Sequence, residues 1–296
     1  MDRIGIIGLG QMGLGLAISQ RRAGRDVVGY DVSSAARDAA GREGIATVDQ
    51  IDGLAGSAVT LLSLPDGPDV TAAVEELLPT LSAGSLIIDC STIDPDVTTR
   101  LAARAAETGV RLRDAGMAGG GPLQAATGDL MFLVGCPEED WDEVRAILEP
   151  IGRSVVRCGD TGTGVTLKVI NNLLALTVFL ADAEILTIAA AAHLDQNITR
   201  DVLGQTAAAN AALTGLVGGQ LLPRKFEGAF RTALAHKDAR IALALAERLG
   251  INAATLAPTL STYGEAVDAG LGDKAAGAAG LIVERRAGVK LGPDHT

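Results

Sequence analysis

Along the first half of the chain, short aliphatic and β-branched runs alternate with amphipathic stretches. The runs read RIGIIGLG from Arg3, RDVVGYD from Arg25, SAVTLLSLP from Ser57, SLIIDCS from Ser85, VRLRDAG from Val110 and MFLVG from Met131. The runs predict parallel strands and the stretches between them crossover helices, the rhythm of a parallel α/β sheet. In STIDPDVTTRLAARAAETG, Asp94 is placed to cap a helix, Pro95 to occupy its first turn and Gly109 to stop it.

Beyond about residue 162 the strand pattern gives way to Ala/Leu-rich helical periodicity. Ile241, Leu245 and Leu249, for example, recur at four-residue intervals. The glycine-rich GDTGTG therefore marks a boundary, with an α/β domain over residues 1–162 and an all-α domain over 163–296. Val169 to Ala181 carries no charge, but 13 residues fall short of the roughly 20 needed to span a bilayer, and Asp182 and Glu184 follow. The run predicts a buried helix and no membrane span. The tail after about Arg285 is expected to be loosely ordered.

Composition narrows the field of functions. A formal charge of -11, a pI near 4.8 and no Lys/Arg-rich block argue against nucleic acid as a partner. Hydrophobic residues at 48% sustain a globular core, and aromatics at 2% leave its packing to aliphatic side chains. Cys90, Cys136 and Cys158 form neither a disulfide framework nor a CxxC metal pair. With no apolar leader-like segment after Met1, a cytoplasmic location is expected. No His/Cys/Asp/Glu spacing suggests a metal, and His193 and His295 carry no pattern.

The first motif with chemical content is Gly8-x-Gly10-x-x-Gly13, directly after the first strand and opening a helix, with Gln11 and Met12 between its last two glycines. Its glycines permit a tight turn, a close approach of pyrophosphate and close helix–strand packing, with the helix N-terminus facing the phosphates. Asp31 ends the second strand about 20 residues on, where an acid bonds a ribose 2′-hydroxyl. That charge favours NAD over NADP, although Arg37 lies within reach of a 2′-phosphate in another loop arrangement.

Further candidates lie at later strand ends. Leu64 and Pro65 either wall the cofactor or make a strand-ending turn, and the Ser91 and Thr92 hydroxyls either bind substrate or cap a turn. The run Gly119, Gly120, Gly121 forms either an anion-binding concavity or a flexible loop.

In GTGVTLKVINN, Lys168 opens an otherwise apolar helix, with Asn171 and Asn172 following. Burial of a lysine is costly unless it is paired or functional, and it lowers the pKa toward the range of proton transfer. Asn172 lies one turn on, on the same face, while a snorkelling Lys168 near the helix start is the alternative. His236, Lys237 and Asp238 open a later helix, where Lys237 can reach a cofactor or Asp238 can simply favour the helix dipole.

In order, GLGQMGLGLA, DCSTIDP, the glycine run, GTGVTLKVINN and AHKD resemble the β-hydroxyacid dehydrogenase family from residue 4 to about 285. The resemblance implies a Rossmann-type N-terminal domain and an all-α C-terminal domain, of the 6-phosphogluconate dehydrogenase type, joined by a long interdomain helix. It also implies assembly as homodimers or homotetramers. It puts the catalytic lysine on Lys168 and the asparagine one turn later on Asn172. Substrate contacts fall on Ser91, Thr92, Ala118, Gly119 to Gly121 and Asn171, and cofactor contacts on Gly8, Gly10, Gln11, Met12, Gly13, Asp31, Leu64, Pro65, Thr92 and Lys237.

One stretch departs from the family. The chain reads DAGMAGGG where the family reads DAPVSGG, so Ala118 or Gly119 stands in place of a substrate-binding serine, and the loop itself carries no arginine. The resemblance implies hydride transfer between NAD, with NADP as an option, and a small 3-hydroxy acid or semialdehyde, with Lys168 as general acid and base. An imine reductase on the same fold and a non-catalytic dinucleotide-binding module are the alternatives.

Overall fold

The computed structural model describes residues 3–228 and 230–292, so His295 lies outside the described residues. The chain divides into two compact units, Met1–Lys168 and Val169–Thr296.

The first unit is a Rossmann-type α/β domain. Its strands are β1 (Arg3–Ile7), β2 (Asp26–Tyr30), β3 (Ala46–Val48), β4 (Val59–Leu62), β5 (Leu86–Asp89), β6 (Arg111–Ala118), β7 (Leu130–Gly135) and β8 (Gly152–Gly159). Between them lie α1 (Gln11–Arg22), α2 (Ser34–Arg42), α3 (Gly67–Leu77), α4 (Pro95–Ala106), α5 (Pro122–Thr127) and α6 (Trp141–Leu148), and α7 (Thr163–Ala191) runs on into the second unit. The sheet order β3-β2-β1-β4-β5-β6-β7-β8 reverses direction between β1 and β4, the point where this class of sheet binds ligands.

Alternate strand residues feed two cores. Ile4, Ile6, Leu61, Leu86 and Ile88 pack on one face, and Ile7, Leu62 and Ile87 on the other, which is why the strands read as continuous apolar runs. Asp94 caps α4 by accepting from the Asp96 N–H, Pro95 is its first residue, and Gly109 follows its end at φ +75°.

Three features of the sheet differ from expectation. β7 runs antiparallel to β6, because the short link from Ala118 to Leu130, holding only the six-residue α5, is not long enough for a crossover. β3 and β8 are the two edge strands, the first only three residues long and the second half-buried with arginines at 153 and 157, so neither has the apolar signature of a central strand.

The second unit is helical, holding most of α7 with α8 (Gln196–Leu203), α9 (Thr232–Arg248), α10 (Ala257–Ala266), α11 (Gly280–Ala287) and a π-helical segment Leu213–Leu221. Val169, Leu173, Leu176, Phe179, Leu180, Ala183 and Leu186 of α7 enter its core with Ile241, Tyr263 and Ile282.

α7 is not the wholly buried, short helix its charge-free run suggested. It spans 29 residues, long and apolar enough by length and composition to cross a membrane, because Asp182 and Glu184 lie inside it and do not end it. Its second face leaves Ile170, Leu174, Ile185 and Ile188 exposed, Ile188 at 64%. The Ile241 face also stops early: α9 ends at Arg248, so Leu249 lies past its last turn and is 67% exposed. The segment after Arg285 is tied down as far as it is described, with Leu291 fully buried and its N–H bonded to Glu284 Oε1.

Candidate dinucleotide and substrate site

The turn between β1 and α1 is shaped by what a Cβ would strike. At Gly8, where φ is +90°, a Cβ would fall 2.3 Å from the Ser63 carbonyl oxygen, and at Gly13 it would fall 1.8 Å from that of Gly8. At Gly10 nothing lies within 4 Å. Two glycines are thus demanded by the fold, while the third keeps open the space above the turn. Gly10 caps α1 with no side-chain acceptor, so the first-turn N–H groups, including those of Gln11 and Met12, face that space at the positive end of the helix. This cradle fits a pyrophosphate.

Asp31, just past β2, accepts from the Leu9 N–H through Oδ2 at 2.7 Å and from the Ser33 N–H through Oδ1 at 2.8 Å. It therefore braces the glycine turn. Arg37 turns its guanidinium to the Asp31 carbonyl at 2.6 Å and to Asp49 at 3.2 Å.

At the next strand ends, the Leu64 N–H donates to Ser91 Oγ at 2.9 Å, and the Ser91 N–H donates to Asp89 Oδ1 at 2.9 Å. Ser91 is buried, so its oxygen serves the turn while its hydroxyl proton is left to donate; Thr92 and Leu64 are half-buried and Pro65 is exposed. Both readings of Ser91, turn and ligand contact, have a physical basis.

β6 carries the support of α7. Asp114, 1% exposed, accepts from the Gly162 N–H at 2.5 Å and from the Val165 N–H at 2.6 Å, doing for the helix start what a local cap would do. The approach requires glycine at 135 and 164, where a Cβ would fall 2.4 Å and 2.8 Å from the Asp114 oxygens. Burial pushes the Asp114 carboxyl up to about 7, against the pull of those N–H groups, and neighbouring Asp89 adds to the rise. Between these carboxylates, burial first and then Asp89 and Asp114 push the Cys90 thiol up, which makes it inert packing. Lys168 follows on α7, half-buried, its Cβ packed against Gly116, where an added Cβ would come within 2.7 Å of it.

At the end of β6 Ala118 is buried, and Gly119 just past it takes φ +76°. Gly120 leaves no room for a Cβ beside Gln124, and the Gly121 N–H donates to Gln124 Oε1 at 3.0 Å. The glycine run is thus a built turn, and any anion-binding concavity in it lies at Gly119 and Gly120.

In the second unit, the Asn171 amide donates to Asn172 Oδ1 at 3.2 Å, and the Asn172 amide donates to Asp238 Oδ2 at 2.6 Å. Asp238 is 1% exposed, and Lys237 Nζ stands 3.3 Å from its other oxygen. The HKD stretch does not open its helix. α9 begins at Thr232, so Asp238 lies more than a turn inside, beyond the first turn where the helix dipole acts, and accepts from Asn172. Nothing in VRLRDAG marks Asp114 for this role, since Arg111 and Arg113 stand beside it as charged residues of the same run.

The fold and the glycine cradle define a dinucleotide-binding protein. Residues 3–159 match the model of the NAD-binding domain of 6-phosphogluconate dehydrogenase, and residues 162–282 match that described as NAD-binding of NADP-dependent 3-hydroxyisobutyrate dehydrogenase. The chain is 32% identical over 258 residues to the 3-hydroxyisobutyrate dehydrogenase of Pseudomonas aeruginosa, covering 83% of this chain and 86% of that one. It is 29% identical to the 3-sulfolactaldehyde reductase of Escherichia coli, covering 92% of each. The solved Mycobacterium tuberculosis 3-hydroxyisobutyrate dehydrogenase with L-serine superposes with a TM-score of 0.88 at 26% identity, over 97% of this chain and 99% of that one. The chain belongs to the β-hydroxyacid dehydrogenase family. A Streptomyces aurantiacus imine reductase, at 19% identity and a TM-score of 0.63 over 94% of this chain and 98% of that one, shares the fold alone.

Proposed function

We propose that this protein transfers a hydride between NAD(H) and a small 3-hydroxy acid or its semialdehyde, with Lys168 as general acid and base. The observation that carries the reading is the support given to one stretch of α7. Asp114 fixes the helix start before Lys168, and Asp238 fixes the amide of Asn172 one turn later.

The nicotinamide cofactor supplies or accepts the hydride; everything else falls to the chain. In reduction the Lys168 ammonium donates a proton to the substrate carbonyl oxygen, and in oxidation the neutral amine takes the hydroxyl proton. Asn172, its rotation limited by Asp238, orients the reacting oxygen, with Asn171 beside it. Ser91, Thr92 and the turn at Ala118 to Gly121 receive the acid group, with no hydroxyl at Ala118. Gly8, Gly10, Gln11, Met12 and Gly13 hold the pyrophosphate, and Leu64, Pro65, Thr92 and Lys237 complete the cofactor contacts. Asp31 repels a 2′-phosphate, and Arg37 is engaged with a carbonyl and Asp49, which favours NAD over NADP.

In this reading residues 1–162 are the cofactor domain and 163–296 the substrate and assembly domain. The exposed apolar stripe of α7 supports a homodimer or homotetramer, and three free cysteines suit a cytoplasmic location. The test is label transfer. A 3-hydroxy acid deuterated at its carbinol carbon is incubated with the protein and NAD, and the reduced nicotinamide is examined by mass spectrometry. Deuterium on the nicotinamide ring supports the reading; reduced cofactor carrying only protium refutes direct hydride transfer.

A further inference from the structure

We propose that Arg153 anchors the acid group of the substrate beside the Gly119–Gly121 turn, supplying from β8 a contact for which Ala118 and Gly119 carry no side-chain donor. The inference rests on the reading above that this turn receives the acid.

The geometry begins with which side of the sheet each group occupies. β6 and β7 pair antiparallel with Gly116 opposite Leu133 and Ala118 opposite Met131, and directly opposed residues project from the same face. On that face α7 begins: a Cβ on Gly164 would strike the Leu133 carbonyl, and the Lys168 Cβ packs on Gly116. One residue past the end of β6, three on from Gly116, a Cβ on Gly119 would fall 2.9 Å from Arg153 Nη2 and 3.9 Å from the Met131 Cβ. The Arg153 guanidinium therefore lies against the Gly119 main chain, at the β7–β8 irregularity where Leu130 pairs with Gly152 and Met131 with Ser154. Three extended residues span about 10 Å. That length of main chain separates the glycine on which Lys168 packs from the glycine on which Arg153 packs.

The guanidinium is also free to be recruited. Its ion pair is with Asp129 at 3.4 Å, and the two side chains are 52% and 53% exposed, so the pair is long, solvated and weak. Arginine presents paired N–H donors in a plane, matched to two oxygens of a carboxylate or sulfonate, and a glycine with φ +76° leaves the approach clear. No arginine lies within the glycine-rich loop, and the charge comes instead from the neighbouring edge strand. The substrate class is thus a small molecule with an ionised acid group, bound by charge beside a turn that offers no hydroxyl of its own at Ala118 or Gly119.

The experiment uses the full-length protein saturated with NAD and three non-reacting probes, isobutyrate, propane-1-sulfonate and neutral isobutyramide, titrated calorimetrically into wild type, Arg153→Ala and Arg153→Lys. The expected result is that both acids bind wild type, bind Arg153→Ala about tenfold more weakly, and recover in part in Arg153→Lys, while isobutyramide is indifferent to all three. The acid bound more tightly by wild type identifies the headgroup. In turnover, KM for a 3-hydroxy acid rises about tenfold in Arg153→Ala and kcat stays within about twofold. Equal binding of the acids by wild type and Arg153→Ala, an equal loss for acids and amide, or no binding of either acid by wild type overturns the proposal. Arg153-dependent acid binding without turnover of any 3-hydroxy acid would instead overturn the reaction and leave the anchor standing.

Discussion

In the first unit the candidate groups are placed by main chain; in the second they are placed by other side chains. Gly8 and Gly13 admit no Cβ, Ser91 serves the Leu64 N–H, and Asp114 holds two helix-start N–H groups. In the helical unit, Asn171 leans on Asn172, Asn172 on Asp238, and Lys237 stands beside Asp238. Main-chain placement resists most side-chain changes but fails when volume is added to the backbone. A side-chain relay tolerates bulk elsewhere but fails when one donor or acceptor is exchanged.

The largest effect that can break this contrast is expected at the glycine turn. Gly13→Val puts atoms where a Cβ already lies 1.8 Å from the Gly8 oxygen, so denaturant unfolding should show a loss of about 3 kcal/mol or more. Gly10→Val, in open space, should leave folding within about 1 kcal/mol yet abolish NAD binding. Equal stability of the two variants would remove the steric account.

Next is the relay. Asp238→Ala leaves a buried Asn172 donor without its acceptor, a cost of about 2 kcal/mol, and kcat should fall more than KM changes. A variant with wild-type melting and wild-type kcat would show that Asn172 needs no orienting partner.

Asp114 gives the first unit a pH signature. Its carboxyl sits at about 7 in the fold against 3.8 unfolded, so the folded state binds its proton more tightly. The stability this contributes is complete below about pH 4 and is lost as pH rises through about 7. Melting temperatures measured across that window should fall with pH in wild type. Asp114→Asn should flatten the fall while lowering the whole curve, because one of the two N–H groups loses its acceptor at a cost of about 1–2 kcal/mol. A wild-type melting temperature that rises over the window would contradict the burial argument.

The smallest effect on folding is expected on the open face of α7. Ile188→Lys, at a 64% exposed position, should change unfolding by no more than about 0.5 kcal/mol yet shift sedimentation toward a smaller species. Unchanged sedimentation would leave that stripe without a role in assembly.

The same contrast governs what could be read from residues alone. Strands buried on both faces, such as VTLL and LIID, announced themselves, whereas β3 and β8 did not, because an edge strand owes its form to one neighbour. The glycine turn was legible since a backbone requirement leaves glycine as its mark. Asp114, Asp238 and Arg153 act on partners far along the chain, and nothing local distinguishes them from ordinary charged residues. Leu249 shows the opposite error, a periodicity that outlasts its helix.

In the proposed reaction Lys168 moves the proton. Wild type and Lys168→Ala should be compared by nicotinamide absorbance with NAD and a panel of 3-hydroxy acids and short semialdehydes, alongside NAD affinity by titration. Turnover in wild type, a loss of about 100- to 10,000-fold in the variant and unchanged NAD affinity are expected. Near-normal turnover in Lys168→Ala would contradict this role.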